Sequence, residues 1–138
     1  MFSVTQFGKK LNSSNYNWNE ETLTFFTKED NLVLDFSDYE GLDFWIGSNC
    51  NFTTGSNCYF DTLDNCKFDT GGYCIFHTGS KCTFDTDYDC TFNTTGEDCV
   101  IIRRDIFEVI NLVPNQTIKL NNYGVKGYTV ITPKENPK

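Results

Sequence analysis

The chain is 138 residues and 15.8 kDa, enough for one domain and too little for a second large one. Aromatic residues make up 16% and include thirteen Phe, which excludes extended disorder because that much aromatic surface demands burial. Nineteen acidic against eleven basic residues leave a net charge of -8, which disfavours direct nucleic-acid binding. With no run of about 18 apolar residues and no signal-peptide core, the sequence predicts a soluble, non-exported protein without membrane contact.

Residues 1–33 read as an N-terminal cap. Within it, YNWNEETLTFF (Tyr16 to Phe26) predicts a β-hairpin with a polar turn at Asn19 to Thr22, whose Trp18 and Phe25 cover the first coil of a repeat region. Leu34 and Phe36, then Leu42, Phe44 and Ile46, alternate as strands with one buried face.

The alternation then becomes a strict repeat. Cys50, Cys58, Cys66, Cys74, Cys82 and Cys90 recur every eight residues. Phe follows each Cys by two (Phe52, Phe60, Phe68, Phe76, Phe84, Phe92), and Thr follows by four (Thr54, Thr62, Thr70, Thr78, Thr86, Thr94). The three intervening residues are rich in Gly, Ser, Asn and Asp, which supply the positive-φ tolerance and side-chain caps of tight turns. Eight is not a helical period, so each unit is a short strand and a turn. Such short strands bury Phe only by stacking on copies of themselves, which predicts an all-β, short-period parallel β-solenoid over residues 34–98. Cys99 closes the series at a spacing of nine. Two repeats per coil give a two-sheeted β-roll of about 16 residues per coil, and three give a three-sided helix of about 24. The two-sheeted roll is favoured, because it sets Phe against Phe between sheets about 10 Å apart and places Phe52 over Phe68 over Phe84.

Residues 99–138 read as a C-terminal β cap with a hairpin turn at Pro114-Asn115-Gln116, a last strand from Tyr128 to Ile131 and a frayed tail PKENPK. Both caps are expected, since bare ends of a stacked roll template aggregation. Charge separates along the chain, with three bases and eight acids in residues 1–46, two and eight in 47–98, and six and three in 99–138. That favours head-to-tail self-association or docking of the basic cap on an acidic partner. The blander expectation makes Arg103, Arg104 and Lys126 solvated charges that blunt a sheet edge.

The evenly spaced cysteines predict free buried thiols, without disulfides and without a metal site, which needs ligands converging on one point. No cofactor is expected. The outward strand positions include Tyr59, Asp61, Lys67, Asp69, Ile75, His77 and Asp85, so an interaction surface is sought there, together with Asp87, Asp89, Arg103 and Arg104. In a 16-residue coil Asp69 and Asp85 stack at one spot. His77 is the single histidine and points out where Cys74 points in, which separates the one possible Cys–His pair; no enzyme is predicted. An ice-binding plane is disfavoured, because the repeated Thr shares the inward parity of Phe and the outward rows are chemically mixed.

The run GSNCNFTTGSNCYFDTLDNCKFDTGGYCIFHTGSKCTFDT, with NLVLDFS before it and CVIIRRDIFEVI and TIKLNNYGVKGY after it, resembles the CTFNTG-like octapeptide-repeat proteins of large DNA viruses and phages. The resemblance covers most of the chain. It implies this architecture and a viral or phage setting, with no catalytic residue to carry over. A more distant likeness is to pentapeptide-repeat proteins, some of which mimic DNA; a period of eight instead of five keeps their gyrase-binding role from being transferred. Three functional readings are open to such a chain. The first is a non-enzymatic structural or adaptor element, cytoplasmic or within a virus particle, that binds virion or host proteins. The second is an acidic DNA-mimic inhibitor using Asp61, Asp69, Asp85, Asp87 and Asp89. The third is a carbohydrate reader stacking sugars on Tyr59, Tyr73 and Tyr88.

Overall fold

An octapeptide with apolar side chains at its first and third positions can hide them only by turning one face of a strand toward a partner sheet. In the computed structural model, which describes residues 2–93 and 96–131, the chain does this in two stacked sheets. The expectations for Thr94, for the Thr94-Thr95-Gly96 spacer as a whole and for the tail 133–138 lie outside the described residues. Each coil takes about 16 residues, and about five coils stack to form the two-sheeted β-solenoid.

One sheet contains β1 (Ser3–Gln6), β2 (Lys9–Lys10), β5 (Leu32–Phe36), β7 (Asn51–Thr54), β9 (Lys67–Asp69), β11 (Thr83–Thr86), β13 (Val100–Arg103) and β14 (Glu108–Asn111). The other contains β3 (Asn17–Asn19), β4 (Thr24–Phe26), β6 (Asp43–Trp45), β8 (Tyr59–Asp61), β10 (Ile75–His77), β12 (Thr91–Phe92), β15 (Thr117–Leu120) and β16 (Tyr128–Ile131). The strands of the repeats pair in parallel and in register, with Phe52 opposite Phe68, Phe68 opposite Phe84, and Phe60 opposite Phe76.

Strand spacing therefore sets ring spacing. Phe52 and Phe68 stack at 4.9 Å and 4°, Phe68 and Phe84 at 5.0 Å and 9°, and Phe60 and Phe76 at 5.0 Å and 4°. Across the roll the rings meet edge to face, as in Phe60 against Phe68 at 5.1 Å and 74°. Both geometries suit the aromatic quadrupole, which favours offset stacks and T-shapes over eclipsed sandwiches. Every repeat Cys is buried, and so are Thr54, Thr62, Thr70, Thr78 and Thr86.

The turns work differently from the sequence expectation. The left-handed residue is the one before each Cys, whatever its type: Asn57 at φ 61°, Tyr73 at φ 58° and Lys81 at φ 60°. The turn glycines serve close packing between coils instead. A Cβ on Gly55 would lie 2.6 Å from the Tyr39 carbonyl oxygen, and one on Gly96 would lie 2.4 Å from the backbone of Gly79.

Parallel pairing extends beyond the repeats in both directions, from Thr24 in β4 to Arg103 in β13, ahead of Leu34 and past Cys99. In β5, Leu34 takes the Phe position opposite Phe52 and Phe36 takes the Thr position opposite Thr54, because the connection through Ser37 to Gly41 lengthens that coil. The Tyr16–Phe26 hairpin forms as β3 and β4, and its second strand already belongs to the roll, with Phe25 fully buried. Phe2 joins the same plug, stacked on Phe36 at 4.4 Å.

Antiparallel strands terminate each sheet, β1 on β5 and β3 on β4 at one end, and β14 on β13 and β15 on β12 at the other. The hairpin expected at Pro114-Asn115-Gln116 is not there. That segment crosses from one sheet to the other, since each sheet needs its own terminator; the hairpins are β13–β14 and β15–β16.

Phe68 sits mid-stack, with partners above, below and across. Phe68→Ala is expected to lower unfolding free energy by about 3–5 kcal/mol, read as a reduced urea midpoint.

Candidate interaction surfaces

With the interior filled by Phe, Cys and Thr, the remaining chemistry lies on the two outer faces, the corners and the caps. The seven cysteines are free and buried. Their thiols donate to corner carbonyls, as Cys66 does to Gly47 of the preceding coil at 3.6 Å and Cys82 does to Leu63 at 3.6 Å. The hydrogen bond to the stacked Cys50, with burial, pushes the Cys66 thiol up to about 11. The bond to Cys66, with burial, likewise holds Cys82 at about 11, against an opposing pull from Cys99. These two thiols are neutral and poorly nucleophilic at pH 7, whereas the bond to Cys66 lowers Cys50 and the bond to Cys74 lowers Cys90. Because all seven are buried, a thiol-reactive dye is expected to label none of them in the native protein over a period in which all seven react in guanidinium.

His77 is exposed on β10 and Cys74 is buried, so they face opposite sides of one sheet. Asp69 and Asp85 stack as expected, in register on β9 and β11. They are not a bare anionic row. Arg104 reaches back from the end of β13 and pairs with Asp69, with Asp85 at 3.3 Å and with Asp87 at 3.6 Å, and it donates to the Thr70 carbonyl. The Asn122 side-chain amide faces both carboxylate oxygens of Asp89, at 2.8 and 2.9 Å. Of the five acids named for DNA mimicry, Asp61 alone has no side-chain partner among the described residues. The three tyrosines named for sugar stacking do not share a face. Tyr73 and Tyr88 meet at 5.7 Å on one corner and continue to Tyr123 at 5.3 Å, while Tyr59 packs at 6.1 Å from Trp45 on an outer face.

Arg103 corrects the sequence expectation. It is fully buried and belongs to no surface. Its Nε and Nη2 donate to the Asp105 carboxylate at 3.1 and 2.6 Å, its Nη1 donates to the Val125 carbonyl at 2.6 Å, and its Nη2 also reaches the Asn122 carbonyl at 3.2 Å. Glu108 lies 3.8 Å away and accepts from the Gly127 N–H. This network fastens the turn between β15 and β16 beneath the last coil. A signal was present in the sequence: Cys99-Val100-Ile101-Ile102-Arg103 keeps the repeat phase, with Ile101 at the Phe position and Arg103 at the inward Thr position, paired with Thr86.

Burial works to raise Asp105, but the Arg103 guanidinium and the Gly124 N–H outweigh it and hold the carboxyl below the ordinary range. A depressed folded-state value stabilises the protein above the unfolded value near pH 4, and that contribution is lost as pH falls through the lower, folded value. Thermal midpoints measured from pH 6 to pH 2 are expected to fall for the wild type. In Asp105→Asn the starting midpoint is expected to be lower and the acid-dependent loss smaller.

No helix among the described residues is long and apolar enough to cross a membrane. Comparison with protein-family models, with curated proteins and with solved structures found no match.

Proposed function

We propose that this chain is a non-enzymatic structural or adaptor element, a rigid rod that holds other proteins through its outer faces and caps in a virus or phage particle. The observation that carries the reading is the division of labour within the fold. The inward positions repeat almost without variation, whereas the outward positions change chemistry from coil to coil, from Lys67 and Asp69 on β9 to Ile75 and His77 on β10. A scaffold that holds diverse side chains at fixed spacing suits recognition of extended partners. The likeness of the repeats and flanks to viral octapeptide-repeat proteins supplies the setting. The acidic-decoy reading is weakened by Arg104, which places a positive charge among Asp69, Asp85 and Asp87 and breaks the anionic row.

The test is an affinity pull-down from lysate of the infected host, at low and then moderate salt, with captured proteins identified by mass spectrometry. Capsid, tail or fibre proteins retained at moderate salt are the expected result. A DNA-processing enzyme released by salt, or the absence of the protein from purified particles together with no particle-protein partner, overturns the reading.

A further inference from the structure

The two outer faces differ in how their charges are balanced. On the face carrying β9 and β11, Arg104 bridges Asp69 and Asp85. On the opposite face, β6 and β8 place Asp43 across from Tyr59 and Trp45 across from Asp61, a checkerboard of two aromatic rings and two carboxylates. Neither carboxylate has a hydrogen-bond or ion-pair partner among the described residues; Asp61 lies in register with His77 on β10, and the described strands of this sheet carry Lys only at Lys119 on β15, with no Arg. Trp45 is 44% exposed, and its neighbours in the same face, Phe26 opposite it on β4 and Ile75 beyond Tyr59 on β10, are 41% and 40% exposed. Burial first, then the nearby charges of Asp61 and Asp43, raise the Tyr59 phenol, so both carboxylates act on the same small patch.

We propose that this checkerboard of Trp45, Tyr59, Asp43 and Asp61 is a docking site for an arginine-bearing basic segment of a partner protein. The proposal rests on the adaptor reading and names the chemistry of one partner. A guanidinium laid over the exposed Trp45 indole or the half-buried Tyr59 phenol gains from the ring quadrupole while its N–H groups reach a carboxylate in the fork geometry that suits both. Strand pairing supplies both halves twice, once as Trp45 with Asp61 and once as Tyr59 with Asp43. The two half-sites are offset by two residues along the strand direction, roughly 7 Å, which is the distance between same-side residues of an extended peptide. The fitting segment is therefore extended and carries arginine at alternate positions. Charge complementarity also runs in its favour, since the chain carries a net charge of -8.

The experiment titrates the full chain into a fluorescein-labelled octapeptide of alternating Arg and Ser, followed by anisotropy, with the Lys–Ser counterpart alongside. The expected result is binding of the arginine peptide at least about fivefold tighter than the lysine one. Asp43→Asn/Asp61→Asn and Trp45→Leu each weaken it about tenfold or more, while Asp35→Asn/Asp38→Asn, an equal charge change elsewhere, alters it less than about twofold. Unchanged thermal midpoints certify that the variants are folded, and if Trp45→Leu fails that check, Trp45→Phe replaces it with a smaller expected loss. Equal weakening by the two double-Asn variants, or equal binding of the lysine peptide, would mean diffuse charge attraction and overturns the site. A dimer in sedimentation that the Asp43→Asn/Asp61→Asn change dissolves would assign the face to a second copy and also overturns it. Particle proteins captured equally by wild type and by Asp43→Asn/Asp61→Asn would remove this site and leave the adaptor reading standing.

Discussion

The stacked phenylalanine column is the constraint on which the rest of the molecule depends. Parallel strands about 4.8 Å apart require the same side chain at the same height in successive coils, and an aromatic ring is one of the few groups that gains from meeting its own copy at that spacing. The stacks at 4.9 and 5.0 Å along each sheet fill the roll lengthwise, and the edge-to-face contacts between sheets fill it crosswise. Little room is left beside the rings, so the flanking inward positions are small: Cys at one end of the strand and Thr at the other. The coil length is set by the same column, because inserting a residue would carry the next Phe to the outside. Where the chain does add residues, between β5 and β6, the aromatic moves to the Thr position and Leu34 replaces it in the column.

A column of this kind has no natural end, and the caps answer that problem with different chemistry. At the N-terminal end the answer is aromatic, with Phe2, Tyr16 and Trp18 packed against Phe25 and Phe36. At the C-terminal end it is ionic. Arg103 occupies an inward position and carries its charge into the cap, where Asp105, two carbonyls and the nearby Glu108 satisfy it. A buried arginine costs several kcal/mol in desolvation and persists only when its donors are met, so it fixes one arrangement of the final turn. Its neighbour Arg104 points the other way and tethers the cap to the outer face of two earlier coils through Asp69 and Asp85. One dipeptide therefore seals the core from inside and clasps it from outside.

The outer faces inherit a regular grid from this interior without inheriting its uniformity. Because the interior alone decides register, the outward residues are free to vary, and their chemistry divides by sheet. One face carries Arg104 among its carboxylates; on the other, Trp45 and Tyr59 contact each other, and Asp43 and Asp61 have no hydrogen-bond or ion-pair partner among the described residues. That asymmetry, more than the net charge, makes the β6–β8 face the strongest candidate for recognition, and solenoids in general carry their specificity in such varied rows on a constant frame.

The interior was legible from the sequence because a period of eight, with Phe at the third position of each unit, admits very few ways to hide its rings. All-β class, parallel stacking, buried thiols and inward Thr come from parity and periodicity, and the choice of two sheets over three sides comes from setting Phe against Phe between sheets. Parity also contained the burial of Arg103, but its charge argued for the surface, and only the arrangement of Asp105 and the β15–β16 turn around it shows how that charge is met. The crossing at residues 112–116 was hidden for a related reason: a Pro-Asn pair marks a turn without telling which sheet the chain turns toward. Partnering was beyond sequence reach too. Asp69 and Asp61 occupy equivalent places in successive repeats, yet Arg104, 35 positions from Asp69, pairs with one, while the other has no ion-pair partner among the described residues. The sequence by itself determined the core, because local periodicity dictates which side chains face inward. Tertiary structure decided the ends, the charge balance of each face and the Trp45–Tyr59 patch, because these depend on contacts between residues whose separation carries no periodic signal.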